Sequence, residues 1–354
     1  MNTRAVVGVL FGIVAVVATG CATLTPVAAS PDKASAQNAS AHQEMTAQEE
    51  PTVAPPPYDK HQTYDPTLPA ASSNPVKEIT LHVQDKTTDI APDVPVDLWT
   101  FGGTAPGPVL HVNLGDTVKF TLVNDGQIEH SIDFHAAQTP WNINYQSIKP
   151  GQKLSFEWKA NYPGAFMYHC GTPPVIHHIG NGMYGAIVVS APELKPVAKE
   201  FVLVQSEFYV TQGKDGLFHS DGTKMNAVTP DYVVFNGYAN QYKDAPLTAN
   251  PGDRIRLWVL NAGPTTFSAF HVIGALFDTA YADGNPQNEQ HGMQTVTIPP
   301  GGGYMVELVI PQAGLYPFVT HSFAYTGKGA LGLIKVGDGG AASGANTNTA
   351  NMSH

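Results

Sequence analysis

Cysteine is nearly absent: the 354 residues contain two, Cys21 and Cys170. They lie in stretches of different character, one closing an apolar leader and one inside a strand-rich region, so no disulfide framework is available to the fold. Positive charge is also scarce, with 18 Lys and Arg against 29 Asp and Glu and a formal net charge of −11. That balance leaves no electrostatic footprint for a phosphate backbone, and no nucleic acid is expected as a partner. A membrane-spanning run is missing too. The apolar stretch from Ala5 to Ala18, after Arg4, falls short of the ~20 residues a spanning helix needs and has the form of an export signal over residues 1–20. No Cys-x-x-Cys-His and no His-x-His occurs anywhere in the chain. The first absence excludes a fused c-type haem domain, so any electron must come from a separate donor.

What is present is glycine and proline, 34 and 29 residues, with few helical patterns. This composition points to many short strands and turns. Alternating apolar residues begin at Ile79, Leu81 and Val83 and return at Val118-Phe120-Leu122 and Leu154-Phe156-Trp158, separated by Gly, Pro and Asn turns. The expected class is all-β, with two tandem Greek-key β-sandwich domains over 76–191 and 192–336. Residues 21–75 are rich in Ala, Pro, Ser, Thr and Gln without a hydrophobic period, and read as a flexible tether. The Gly-rich segment 337–354 reads as a solvated tail. Ala18-Thr19-Gly20-Cys21 resembles a bacterial lipoprotein processing site, which implies lipid on Cys21 and a membrane anchor on an exported, periplasmic or cell-surface protein.

The two expected domains repeat one another. Leu114-Gly115-Asp116 answers Pro251-Gly252-Asp253, Ser131 to His135 answers Phe267 to His271, and Tyr162 to Cys170 answers Gln312 to Ser322. Pairing His135 with His271, His169 with His321 and Gly185 with Gly332 puts His130 on Thr266, Cys170 on Ser322, His178 on Tyr325 and Met183 on Ala330.

Those unmatched positions carry chemistry. Residues 168–183 place Cys170, His177, His178 and Met183 on one short loop, a cysteine with a histidine eight residues on and a methionine five beyond that. Two imidazoles and a thiolate with a weak axial thioether form a blue-copper site, because soft sulfur suits Cu(I) while the geometry serves both oxidation states. His130, from a distant strand, is the natural fourth ligand. Successive side chains on a strand face opposite ways, so His169 and Cys170 can serve different metals across one peptide bond. His135 and His169, with His321 from the second half, could then form a His₃ site with an open position. The repeat alone suggests that this set closes within one chain.

Over residues 76–336 the chain resembles the copper-containing nitrite reductases, two-domain cupredoxins. The resemblance rests on His130-Ser131-Ile132-Asp133-Phe134-His135, Tyr168-His169-Cys170, His178 and Met183 five residues on, Phe270-His271-Val272-Ile273-Gly274, and Thr320-His321-Ser322. It implies a type 1 copper on His130, Cys170, His178 and Met183, with His178 preferred over His177 by the spacing to the methionine. It implies a type 2 copper on His135, His169 and His321, in a homotrimer where His321 comes from the neighbouring subunit. It further implies reduction of nitrite to nitric oxide, Asp133 and His271 as the proton-handling pair, Ile273 shaping the substrate pocket, and an external donor such as a c-type cytochrome or a small cupredoxin. Two other readings compete. A laccase-like multicopper oxidase would need paired His-x-His motifs, and a non-catalytic blue-copper electron carrier would have no use for the second histidine set. The remaining histidines, His42, His61, His82, His111, His219 and His291, match no motif and read as surface or packing residues.

Overall fold

The computed structural model describes residues 54–338; the expected signal, Cys21, the first part of the expected tether and the tail from residue 339 lie outside them. Strand Val76–Asp89 runs parallel to Thr117–Asn124 and antiparallel to Pro95–Phe101, and Lys153–Lys159 closes this sheet. A facing sheet orders Leu110–Asn113, Tyr184–Ser190, Gly164–His169 and Asp133–Phe134. Between them Leu81, Val83, Val118, Phe120 and Leu122 are buried with Cys170 and Met183 in a single core. The alternation read from the sequence is therefore the core face of an all-β sandwich.

The second half repeats this plan. Lys199–Phe208 runs parallel to Arg254–Gly263, Gly303–Val309 follows antiparallel, and a facing sheet orders Leu247–Ala249, Leu331–Val336, Gly314–Thr320 and Ser268–Val272. A second core gathers around Phe235, Phe270, Phe277 and Phe318. The two cupredoxin sandwiches share an apolar contact in which Met167, Tyr184, Ala186 and Val188 meet Val202, Val204, Trp258 and Met305. Strand Tyr184–Ser190 is consequently buried on both faces, which is why it reads as a continuous apolar run rather than an alternating one. Strands Val210–Gln212 and Phe218–Ser220 extend the first sheet, Phe218 pairing with Val96, although they follow residue 192 in sequence.

Equivalent hydrogen bonds give the register of the repeat. Asn124 donates from Nδ2 to the carbonyls of Ile128 and Ile148, at 2.8 and 2.9 Å, and accepts from Gly126 N at 3.0 Å. Asn261 donates to Thr266 and Ile298, at 2.8 and 3.0 Å, and accepts from Gly263 N at 3.1 Å. Ser131 N donates to Cys170 Sγ, as Ala269 N donates to Thr320 Oγ1. Ile128 therefore matches Thr266, and counting on from there His130 matches Ser268, Cys170 matches Thr320 and Asp133 matches His271. Aligning histidine on histidine had slipped these strands by two residues. A slip of two preserves which side chains face inward, so the conclusion stands with new names: the second core carries Ser268, Thr320 and Ala330, all buried, where the first carries His130, Cys170 and Met183.

The Gly185 and Gly332 match holds. A Cβ on Gly185 would lie 2.2 Å from the Tyr168 ring, and one on Gly332 would lie 2.1 Å from the Phe318 ring. Each aromatic ring lies flat against a glycine across the strand pair. Gly332→Ala is expected to destabilise the protein by about 1–3 kcal/mol through overpacking, read as a lower urea midpoint at unchanged m-value.

The tether expected over 21–75 is not free in its last part. Val202 N donates to Pro66 O at 2.7 Å and Leu68 N to Glu200 O at 3.3 Å, with Thr67 bridged to Phe201. Tyr64 reaches Gly107 O at 2.9 Å, and His61 stacks on Tyr238 at 4.0 Å. These backbone bonds take up the edge of Lys199–Phe208 that Tyr232–Phe235 leaves uncovered. An open edge is a ready template for extended chain, which a composition argument does not register.

Candidate metal centres

Cys170 ends the strand Gly164–His169 at the core, with Tyr168 and Cys170 facing in and His169 facing out. Its backbone N donates to Met183 O at 3.1 Å, and Met183 N donates to His178 O at 3.1 Å. These bonds fold the loop so that cysteine, histidine and methionine converge, with the short helix Val175–Gly180 carrying the histidine. Neighbours on a helix point about 100° apart, and the two histidines separate accordingly. His178 turns inward, while the His177 ring lies against Gly222, where a Cβ would come within 2.6 Å of its Nε2. His130 is brought up by the Asn124 corner and by paired backbone bonds to Ile148 of 3.1 and 2.8 Å.

Three donor atoms then meet. Cys170 Sγ lies 3.3 Å from His178 Nδ1 and 3.9 Å from His130 Nδ1, and the two Nδ1 atoms are 3.3 Å apart. Bonds of about 2.0–2.3 Å, as nitrogen and thiolate make to a first-row ion such as zinc, leave edges of roughly 3.5–3.8 Å in a trigonal plane. The triangle fits such an ion. Burial lowers the His130 and His178 pKa values to about 4, helped at His130 by His178 and at His178 by His177, so both rings are neutral and can offer a lone pair. With Nδ1 turned to the donor triangle, His130 carries its proton on Nε2, a buried atom with no partner among the described residues. That orientation costs a hydrogen bond unless Nδ1 has a ligand.

A second group forms on the other face of the same sheet. Asp133 pairs with His169 across the strands, so both project outward, as does His135 two residues on. His169 Nδ1 faces Cys170 O at 2.9 Å and His135 Nδ1 faces Gly301 O at 3.2 Å. Each Nδ1 is thereby a donor, which leaves both Nε2 lone pairs pointing at one another, 3.1 Å apart. Two lone pairs at that distance repel unless a cation lies between them, and second-shell carbonyls of this kind fix a ligating tautomer. Asp133 Oδ2 is 3.9 Å from His169 Nε2. The His135 pKa is lowered, first by burial and then by His169, with Asp133 and the Gly301 carbonyl opposing. The contact from Gly301, whose φ is +79° and whose Cβ would meet the His135 ring at 3.0 Å, was not visible in the sequence. A glycine in a turn 166 residues away gives no local signal.

His321 is outside this group. It stands beside His271, ring centroids 5.5 Å apart, and His271 Nδ1 is held by Gln294 O. Ile273 lies two residues past His271, half-buried in the turn that follows the strand Ser268–Val272. His321 does not join His135 and His169 within the chain, as the repeat suggested; among the described residues the pairs His135-His169 and His271-His321 stay apart. The second sandwich has no counterpart of the thiolate centre among them. Beside its turn at Thr265 and Thr266 the buried Glu207 accepts from both backbone N–H groups, at 3.1 and 2.6 Å, and from both hydroxyls and Tyr209. Sequence reading did not single out this carboxylate.

A sandwich that encloses a Cys-His-His triangle against a core methionine, with paired lone-pair imidazoles one peptide bond away, defines a two-centre copper protein of the cupredoxin class. The multicopper oxidase family profile matches residues 82–194. The copper-containing nitrite reductase of Neisseria meningitidis is 38% identical over 292 residues, covering 79% of this chain and 75% of that protein. That of Cereibacter sphaeroides is 30% identical over 297 residues, with 77% and 78% covered. The solved copper nitrite reductase from Nitrosomonas europaea at pH 8.5 superposes with a TM-score of 0.70 at 36% identity, covering 74% of this chain and 94% of that one. The chain belongs to the copper-containing nitrite reductases.

Proposed function

We propose that His130, Cys170, His178 and Met183 hold a type 1 copper, and that His135 and His169 hold a type 2 copper completed by His321 of a neighbouring subunit in a homotrimer. The observation that carries this reading is the pair of incomplete halves on one chain, His135-His169-Asp133 and His271-His321, together with the shared His169-Cys170 peptide. Nitrite is the substrate, and its reduction to nitric oxide and water takes one electron and two protons. When bound, the copper on His130, Cys170, His178 and Met183 would supply a one-electron store and the copper on the second histidine set a Lewis-acidic site that would draw its electron from the first.

The chain's own groups do the rest. The peptide between Cys170 and His169 is the short covalent route between the two ligand sets. Asp133, half-exposed on the face of His169, hands a proton to the substrate. His271 commits Nδ1 to Gln294 O, which leaves Nε2 to hold a bridging water. Asp133 lies beside His169 and His271 beside His321, so a subunit contact that joins those two histidine pairs brings both to one site. Ile273 narrows the pocket on the His271 side. The electron comes from a c-type cytochrome or a small cupredoxin. Export, through the leader at 1–20, and lipid on Cys21 place the enzyme in the periplasm or at the cell surface, anchored by its tether. Residues 76–191 and 192–336 form the two domains, and a role in denitrification follows.

The test is nitric oxide production from nitrite by the copper-loaded protein with a reduced artificial donor. Asp133→Asn is expected to lower turnover by about 100-fold while the thiolate-to-copper absorption stays as in the parent. Parent-level turnover in that variant removes Asp133 from proton delivery.

A further inference from the structure

Three of the four type 1 ligands, His130, Cys170 and Met183, are 0% exposed, and His178 keeps only a 3% exposed edge. An electron from outside therefore enters either at that edge or across a side chain packed on the ligands. Trp99 lies against both imidazoles, its ring centroid 4.9 Å from His178 and 5.6 Å from His130, and among the described residues no other non-histidine ring stacks on either. Its backbone N donates to Asn181 O at 3.0 Å, tying it to the loop that carries His178 and Met183.

The strand register shows how Trp99 also reaches the surface. Phe101 pairs with Val83, Trp99 with Asp85 and Asp97 with Thr87, so these rungs share one face of the sheet. Val83 and Phe101 are buried in the core, whereas Asp97 is half-exposed; Trp99 is the rung where core becomes surface. On its outer side opens a cavity of about 310 Å³ lined by Asp85, Lys86, Thr87, Asp97, Leu98 and Trp99. Lys86 is paired with Asp59, and Asp97 accepts from the Thr87 hydroxyl and faces His219 Nδ1 at 3.7 Å; the carboxylates of Asp59, Asp85 and Asp97 still outnumber the one ammonium on the rim.

We propose that Trp99 is the electron entry point of this enzyme: a reduced one-electron carrier with a cationic rim docks over this cavity, and its electron crosses the indole to the type 1 ligands. The carrier is oxidised by one electron and the type 1 copper is reduced by one. No bond forms or breaks and no proton moves. Trp99 acts through His130 and His178 and is a positioning residue for the transfer. This rests on the type 1 assignment.

The experiment follows bleaching of the thiolate-to-copper absorption of the copper-loaded full chain by hexaammineruthenium(II), a cationic one-electron reductant, in a stopped flow. Trp99→Leu is expected to slow bleaching about tenfold or more and Trp99→Phe to stay within about threefold of the parent, with band position and reduction potential held in both. Bleaching of Trp99→Leu at the parent rate, or a slowing that its potential alone accounts for, overturns the proposal. Absence of the band in the parent overturns the type 1 assignment instead. Where Trp99→Leu does not fold, charge on the half-buried Thr87 decides. Thr87→Arg should slow the cationic reductant and Val175→Arg, on the exposed side of the His178 helix, should not; the reverse pattern moves the entry point to the helix.

Discussion

Replacing Cys170 by serine is expected to remove the intense visible absorption of the copper-loaded protein, halve its copper content and abolish essentially all donor-driven nitrite turnover. The thiolate is the one soft, anionic donor in a fully buried triangle whose other corners are neutral imidazoles. A serine hydroxyl keeps its proton at neutral pH and offers a hard oxygen, so the site loses both its charge match and its affinity for Cu(I). The fold should persist. The Ser131 N–H that donates to Cys170 Sγ can donate to a serine oxygen, just as Ala269 N does to Thr320 at the equivalent place in the second sandwich. Circular dichroism and bound copper by elemental analysis separate a lost site from a lost fold. Turnover that survived with the band gone would mean that electrons reach the catalytic centre without the type 1 site.

Mixing two inactive variants is expected to restore activity. His135→Ala lacks part of one half-site and His321→Ala lacks part of the other, and each alone should fall to background because the pair of Nε2 atoms or its third partner is missing. Co-assembled, a His321→Ala subunit still offers His135 and His169, and a His135→Ala subunit still offers His321. Random assembly at equal amounts makes about one interface in four complete in a cyclic oligomer, so roughly a quarter of parental turnover should return. A site closed within one chain could not be repaired by mixing. Absence of recovery in demonstrably mixed oligomers would return the type 2 ligands to a single subunit, and sedimentation of the parent checks the trimer directly.

The copper loop was legible because its information is local. Cys170, His178 and Met183 lie within fourteen residues of one another, and a spacing that suits a metal is visible without a fold. The opposite facing of His169 and Cys170 was legible for a similar reason, since period two is a property of any strand. The repeat was legible in outline and right at Gly185 and Gly332, but slipped by two residues on the histidine-bearing strands. Histidines are conspicuous letters, but the residues that hold the two corners alike are Asn124 and Asn261, whose hydrogen bonds to carbonyls up to 37 residues away have no sequence signature.

The sequence by itself determined the all-β class, the soft donor set and the absence of that set from the second half, because side-chain identity decides what a group can ligate. Tertiary structure alone decided which atoms meet. It set the Gly301 carbonyl on His135, packed the edge of Trp99 against the two buried imidazoles, docked residues 66–68 on an open strand edge, and left His321 outside the His135-His169 pair. Each of these depends on backbone groups or ring faces, which every residue or many residues can supply. Only the packing of distant strands selects among them.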